Sequence, residues 1–74
     1  MSETHEVKPG RYRHYKGRDY TVLGLARHSE TEEVLVVSRQ EYGDRGRWVR
    51  PLAMFLESVE VDGQSVDRFR FLGP

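Results

Sequence analysis

The side chains in this 74-residue chain best suited to chemistry are arginines interleaved with aromatic rings. In the segment 11–18, RYRHYKGR, Arg13 and Lys16 stand beside His14 and Tyr15. Guanidinium groups pair with phosphates and carboxylates, and flat rings provide surfaces on which nucleic-acid bases stack. The segment predicts a stacking and anion-pairing surface. The alternative is a solvated edge strand whose cations pair with acidic residues elsewhere in the chain.

A second cluster of the same kind is RGRWVRP, residues 45–51. Because side chains alternate along a strand, Trp48 and Arg50 are predicted to share one face. Tyr42 and Arg45, in the loop before that strand, would form a rim. Two roles remain open for Trp48. Its ring could stack on a ligand, or it could pack on the fold with its indole N–H bonded to a backbone acceptor.

Acid–base chemistry has one candidate segment, ARHSET, residues 26–31. His28 lies next to a hydroxyl and a carboxylate, a combination used in general acid–base and nucleophilic catalysis. The same residues also form ordinary turns by bonding to their own backbone. A pair made of His14 and His28 would suit phosphodiester cleavage only if both imidazoles met on one face. We predict that the chain is not an enzyme, because small barrels mostly bind.

The composition excludes several other kinds of site. There is no cysteine, which rules out disulfides, zinc–thiolate centres and a cysteine nucleophile. The three histidines lack a compact metal-ligand spacing, and no glycine-rich phosphate loop is present. No metal and no cofactor is therefore predicted.

Charge is balanced overall but distributed unevenly. Twelve basic and twelve acidic residues give a formal net charge of zero, which argues against a bulk polyanion binder. Residues 8–18 nevertheless hold only basic charges and residues 57–67 only acidic ones. No window approaches the roughly 20 apolar residues of a membrane span. We expect a cytoplasmic protein with no membrane partner.

The sequence predicts that short β-strands position these side chains. Apart from a flexible lead-in at residues 1–8, residues 9–74 form one domain. Strands are predicted at 11–15, 19–28, 34–39, 47–50 and 67–73, with a hairpin turn closing 57–63. Gly24 indicates a bulge, and PLAMF, residues 51–55, is predicted to form one 3₁₀ turn and part of the core. Five or six antiparallel strands predict an all-β fold, a small SH3-like barrel. An OB-like barrel is the alternative, but it needs a longer helix.

The strings YRHYKG, ARHSET and WVRP, in this order and spacing, carry a resemblance to a known family. Over about residues 9–72 the chain resembles the domain-of-unknown-function family numbered sixteen fifty-three, whose members are small and mostly bacterial. The resemblance implies an SH3-like β fold and no established activity. The family pattern has an aromatic residue near position 38, where this chain has Ser38.

The sequence therefore predicts a non-catalytic binding module for an anionic ligand, a nucleotide or a nucleic-acid strand. A protein- or peptide-interaction module using the same groove is the alternative, and a small His-dependent hydrolase is the third hypothesis. The predicted ligand-binding residues are Arg13, His14, Tyr15, Lys16, Arg27, His28, Tyr42, Arg45, Trp48 and Arg50.

Overall fold

A computed structural model describes residues 7–74 of the chain. These residues form seven strands and one helical turn, and every strand pairing is antiparallel. The elements in chain order are β1 (Gly10–His14), β2 (Asp19–Arg27), β3 (Val34–Gln40), β4 (Arg47–Pro51), α1 (Leu52–Phe55), β5 (Ser58–Val61), β6 (Gln64–Asp67) and β7 (Phe69–Gly73). The predicted all-β fold is confirmed.

The strands form two sheets. The larger has the order β4-β3-β2-β1-β7, and β5 and β6 make a separate hairpin. Within residues 7–74, β4 and β7 lie at the two ends of the larger sheet and do not pair with each other, so no closed barrel is seen.

The number of strands differs from the predicted five or six, because the last segment breaks at Arg68. The Arg68 N–H donates to the Glu57 carbonyl at 3.0 Å, and its own carbonyl accepts from Tyr15 N–H at 2.8 Å. The first bond continues the pairing of β5 with β6, and the second continues the pairing of β1 with β7, so the chain passes from one sheet to the other at Arg68. The final strand, predicted over 67–73, therefore begins only at Phe69.

The turn after β4 is α-helical, which corrects the predicted 3₁₀ turn. The Leu56 N–H reaches back four residues to the Leu52 carbonyl at 3.0 Å, and only Glu57 N–H bonds to Met54 with 3₁₀ spacing. One face of this turn buries Phe55 and part of Leu52, while Met54 is 43% exposed. The core role predicted for this segment therefore applies to two of its three large side chains. No helix within residues 7–74 has the length and apolar character needed to cross a membrane.

The core lies on one face of the larger sheet, which we call the inner face. Phe55 stacks on Phe69 with ring centroids 4.3 Å apart, and Tyr12 meets Phe55 edge-on at 5.2 Å. Such aromatic contacts add to the stabilisation from burial. The buried apolar residues are Val7, Tyr12, Val22, Val36, Phe55 and Phe69.

The predicted flexible lead-in falls largely outside the described part of the chain, which starts at Val7. Val7 itself is buried in the core. The Tyr12 hydroxyl donates to the carbonyl of Lys8 at 3.0 Å. These two residues thus contact the packed domain.

The bulge predicted at Gly24 is confirmed. The pairing of β2 with β3 shifts register between Val22 and Gly24, so that Leu23 is the extra residue. Gly24 has φ 156°, a backbone conformation that favours glycine. A bulge bends its strand and increases the local twist. It thereby curves the sheet on which the predicted site residues lie.

Candidate functional site

A cleft of about 240 Å³ opens on the inner face beside the core, and we call it the inner cleft. Strand register places Tyr20 opposite Gln40 and Ser38 opposite Trp48. The lining residues are Tyr20, Ser38, Gln40, Tyr42, Trp48, Val49, Arg50 and Phe69. The cleft thus draws on the three neighbouring strands β2, β3 and β4, on β7, and on the loop that follows β3.

The floor of the inner cleft is polar. Val36, Ser38 and Gln40 alternate along β3 and share the inner face, yet only Val36 is apolar. Ser38 and Gln40 are each 9% exposed. Period-two alternation was the signal that could have found them, since it sets two polar residues in line with a buried valine.

Gln40 orients Trp48. The Gln40 side-chain oxygen accepts from the indole Nε1–H of Trp48 at 2.6 Å. Its amide nitrogen donates to the Tyr42 carbonyl at 3.1 Å and to Asp44 Oδ1 at 3.0 Å. With its oxygen and nitrogen both bonded, Gln40 is held in one orientation, and the edge of the indole ring is held with it.

Trp48 is 59% exposed. Its indole N–H is bonded to a side-chain amide, whereas the packed alternative requires a backbone acceptor. Much of the residue is therefore open to solvent where it lines the inner cleft. An exposed, oriented aromatic ring of this kind is suited to stacking.

Arg50 brings a positive charge to the same cleft. Its guanidinium carbon lies 5.2 Å from the centroid of the Phe69 ring. Six other arginines pair with carboxylates, but Arg50 has no carboxylate partner among residues 7–74. A half-buried cation without a counter-ion is suited to pairing with an anion from outside.

Two tyrosines close one side of the cleft. The Tyr20 and Tyr42 hydroxyls lie 2.7 Å apart, and the Arg18 guanidinium covers the Tyr42 ring at 4.5 Å. Burial raises the pKa of Tyr20, and so does the bond to Tyr42, whereas the charges of Arg50 and Arg18 oppose that rise. Both guanidiniums therefore act on the Tyr20 hydroxyl. Sequence reasoning placed Arg18 in a basic segment but named neither Arg18 nor Tyr20 as a site residue.

His14 borders the inner cleft through aromatic contacts. Its ring meets Phe69 at 5.0 Å and Tyr20 at 6.5 Å, and its Nδ1 accepts from Lys16 N–H at 3.2 Å. Burial lowers the pKa of His14 below its ordinary value, and the charges of Arg50, Arg68 and Lys16 lower it further. These effects favour the neutral imidazole over the imidazolium.

The lowered pKa of His14 predicts a pH-dependent stability. Below the ordinary value of 6.5 the unfolded chain takes up a proton that the folded chain does not, so stability falls as pH falls. We expect His14→Asn to reduce the fall in thermal midpoint between about pH 8 and about pH 5. NMR titration of the His14 ring in the wild-type protein provides a direct measurement. A midpoint at or above 6.5 would contradict the expectation.

Arg13 does not join the inner cleft, contrary to the prediction that the basic residues converge. It alternates with His14 along β1 and therefore lies on the opposite face of the sheet. There its guanidinium bonds to Asp19 at 2.8 and 3.4 Å, and Arg11 reaches the same carboxylate at 3.5 Å. Pairing with Arg13 holds the pKa of Asp19 below its usual value.

Arg45 is also directed away from the inner cleft, because Glu41 pairs with it. The two side chains meet at 2.6 Å, and Glu41 also accepts from Arg39 at 2.9 Å. The Glu41 side chain is only 8% exposed. Its bonds to Thr21 and Arg39 lower the pKa of Glu41 to about 2, so it stays ionised. Glu41 therefore neutralises Arg45, the loop cation that the sequence assigned to a ligand.

Arg27 and His28 lie at the far end of β2. Arg27 approaches Glu32 at 3.6 Å. His28 Nδ1 accepts from the backbone N–H groups of Glu30 and Thr31 at 3.1 and 3.4 Å, as a turn residue does. The nine residues of β2 separate this end from His14 by about 25–30 Å of strand. The structure thus keeps the two imidazoles of the hydrolase hypothesis apart.

Tyr15 and Lys16 occupy the turn after β1. Tyr15 is 39% exposed, and its ring lies 4.6 Å from that of His14, while Lys16 Nζ lies 5.8 Å from the Tyr15 ring. Tyr15 lines a separate groove of about 430 Å³ together with Val61 and Val66 of the β5–β6 hairpin. Of the ten predicted residues, three therefore line the inner cleft, namely Tyr42, Trp48 and Arg50. Arg13, His14 and Tyr15 line the separate groove.

Comparison with known proteins agrees with the resemblance drawn from the sequence. The family model described as "Protein of unknown function (DUF1653)" matches residues 10–71. A crystal structure of a DUF1653 protein from Bordetella bronchiseptica is similar at 40% identity and a TM-score of 0.86, over 96% of this chain and 94% of that one. No curated protein sequence matches the chain. The chain belongs to the DUF1653 family of proteins of unknown function.

Proposed function

We propose that the chain is a non-catalytic binding module whose inner cleft takes an anionic ligand with a flat ring, a nucleotide or a short nucleic-acid strand. The observation that carries the proposal is Arg50. Its guanidinium lies over Phe69, has no carboxylate partner within residues 7–74, and lines the same cleft as the exposed ring of Trp48. A cation and a stacking surface side by side match the two parts of a nucleotide.

The balanced charge of the chain restricts the size of the ligand. With a formal net charge of zero, the protein lacks the broad positive field that holds long polyanions. The inner cleft is also small, at about 240 Å³. These two observations favour a ligand that occupies one local site. We include in the proposal the SH3-like arrangement predicted from the strand order, in which the segment around Trp48 lies beside a ligand groove.

One observation favours a protein or peptide partner as the second candidate. β4 is an end strand of the larger sheet, so one side of its backbone is unpaired among the described strands. Trp48 and Val49 on this strand are each 59% exposed. An extended peptide could add to this edge, with main-chain bonds providing affinity and these side chains providing contacts.

An NMR titration of the ¹⁵N-labelled protein tests the proposal. The ligands are the four nucleoside monophosphates, short single-stranded and duplex oligonucleotides, and acidic peptides, each at two salt concentrations. Because the chain has one tryptophan, a single indole N–H signal reports on the inner cleft. We expect nucleotides to shift that signal and the amides around Arg50, with weaker binding at the higher salt concentration.

The other outcomes separate the two candidates. Shifts caused by peptides alone, confined to β4 and insensitive to salt, would replace the proposal with the protein-partner function. No shift at Trp48 with any nucleotide or oligonucleotide would contradict nucleotide binding at the inner cleft.

A further inference from the structure

The Tyr20 and Tyr42 hydroxyls leave one donor free. Each hydroxyl has one hydrogen, and their mutual bond at 2.7 Å uses only one of the two. Neither hydroxyl has another hydrogen bond among the described residues, 7–74. The second hydrogen can therefore be donated to an acceptor that enters the cleft.

Two positive charges act on this hydroxyl pair. Arg18 lies over the Tyr42 ring at 4.5 Å, and Arg50 lies over Phe69, whose ring is 5.6 Å from that of Tyr20. The charges of both arginines favour the ionised form of Tyr20. Arg18 lines a neighbouring groove that shares Tyr42 with the inner cleft. Like Arg50, Arg18 has no carboxylate partner in the part of the chain that the structure describes.

Two cations and a neutral hydrogen-bond donor suit a phosphomonoester better than a phosphodiester. A phosphomonoester carries about 1.5 to 2 negative charges at pH 7 and has three strong acceptor oxygens. A phosphodiester inside a strand carries a single charge and offers fewer free oxygens. The second guanidinium and the tyrosine donor would add little to the binding of a diester, because Arg50 alone balances its charge.

We propose that the inner cleft recognises a terminal phosphomonoester, with the phosphoryl group at the Tyr20–Tyr42 hydroxyl pair between Arg18 and Arg50. The attached nucleoside stacks on Trp48. This inference rests on the proposed function and narrows it. The ligand is a mononucleotide or the phosphorylated end of a strand, which share this chemistry.

The test compares homodinucleotides of each of the four bases in three forms: 5′-phosphorylated, 3′-phosphorylated and unphosphorylated. The 5′- and 3′-mononucleotides and inorganic phosphate complete the set of probes. Dissociation constants come from the Trp48 indole N–H signal of the full chain. We expect a phosphorylated form to bind about tenfold or more tightly than its unphosphorylated counterpart. If a mononucleotide binds as tightly as the phosphorylated dinucleotide, a free nucleotide suffices as the ligand.

Two variants test the residues that form the site. Arg18→Gln and the double variant Tyr20→Phe/Tyr42→Phe are expected to reduce the preference for the phosphorylated form. The first removes one charge, and the second removes both hydroxyls, since either hydroxyl alone would keep a hydrogen free to donate. Arg47→Gln and Tyr15→Phe are the matched controls, because Arg47 does not cover the Tyr42 ring and Tyr15 takes no part in the hydroxyl pair. Arg18 is exposed, so Arg18→Gln keeps the test interpretable if the double variant perturbs the fold.

The outcomes keep the inference separate from the proposed function. Equal affinity for phosphorylated and unphosphorylated dinucleotides would overturn the monoester site and leave anionic binding in place. A preference that survives both Arg18→Gln and Tyr20→Phe/Tyr42→Phe would overturn the assignment to these residues. Failure of every nucleotide probe to shift Trp48 would overturn the proposed function itself, and the inference with it.

Discussion

Arg50→Gln is expected to weaken nucleotide binding at the inner cleft by about 10- to 100-fold at low salt concentration. A hydrogen bond to a charged group contributes about 1.5–3 kcal/mol, and every 1.4 kcal/mol is tenfold in affinity. Glutamine retains hydrogen-bonding capacity but loses the charge, so the change isolates the electrostatic part. The measurement is the dissociation constant of a nucleoside monophosphate from the Trp48 indole signal.

The salt dependence gives a second, independent readout of the same variant. If Arg50 pairs with the ligand phosphate, wild-type affinity falls as salt rises, and the slope of that fall is smaller for Arg50→Gln. An unchanged slope together with weaker binding would mean that Arg50 acts by positioning the Phe69 ring beneath it. That result would contradict the direct pairing proposed for Arg50.

Arg47→Gln is the matched control for charge. Arg47 lies on the same strand three residues before Arg50 but does not line the inner cleft, and it is exposed. Both variants change the net charge of the chain by the same amount. We expect the dissociation constant of Arg47→Gln to stay within about twofold of wild type. Salt screens the interaction between an exposed charge and a ligand that is not in contact with it. Equal losses in the two variants would indicate a general charge effect rather than a site.

Phe55→Ala is expected to lower the free energy of unfolding by about 3–5 kcal/mol, the range for truncating a buried phenylalanine. Phe55 is 4% exposed, stacks on Phe69 and receives the edge of Tyr12. A chain of this length has a total stability of about 4–11 kcal/mol. The substitution therefore removes a large fraction of the total, and the thermal midpoint should fall by roughly 12 °C or more.

Met54→Ala separates loss of packing from loss of the helical turn. Met54 lies in α1 directly before Phe55 and is 43% exposed. Its truncation should therefore lower the free energy of unfolding by less than about 1 kcal/mol. Both variants are compared by thermal and urea unfolding. Similar losses in the two proteins would mean that the turn itself, rather than the buried ring of Phe55, stabilises the domain.

Local patterns were sufficient to predict most of the strands and several of the faces. Alternation placed Trp48 and Arg50 on one face of a strand, and the register with β3 bears this out. The bulge at Gly24 followed from a glycine inside a β-forming run. The break at Arg68 had no such local signal, because it depends on backbone bonds to Glu57 and Tyr15, distant residues in the chain.

The candidate site was less accessible to local reasoning, because composition does not show which charges are already paired. Arg13 and Arg45 look equivalent to Arg50 in the sequence. In the fold, Asp19 and Glu41 neutralise the first two, while Arg50 meets no acid among the described residues. Ser38 and Gln40 could be assigned to the floor of the inner cleft only once β3 was placed between β4 and β2.

The sequence by itself determined the all-β class, the order of the main strands along the chain and the family. These features depend on alternation, turn residues and motif spacing, all of which act between near neighbours along the chain. Only the tertiary structure decided which side chains meet. Ion pairing and cleft formation depend on strand register. Register brings side chains from separate segments into contact, as with Arg18, Tyr20 and Tyr42. It also pairs Arg13 with Asp19 and Arg45 with Glu41, which leaves Arg50 as the cation of the inner cleft.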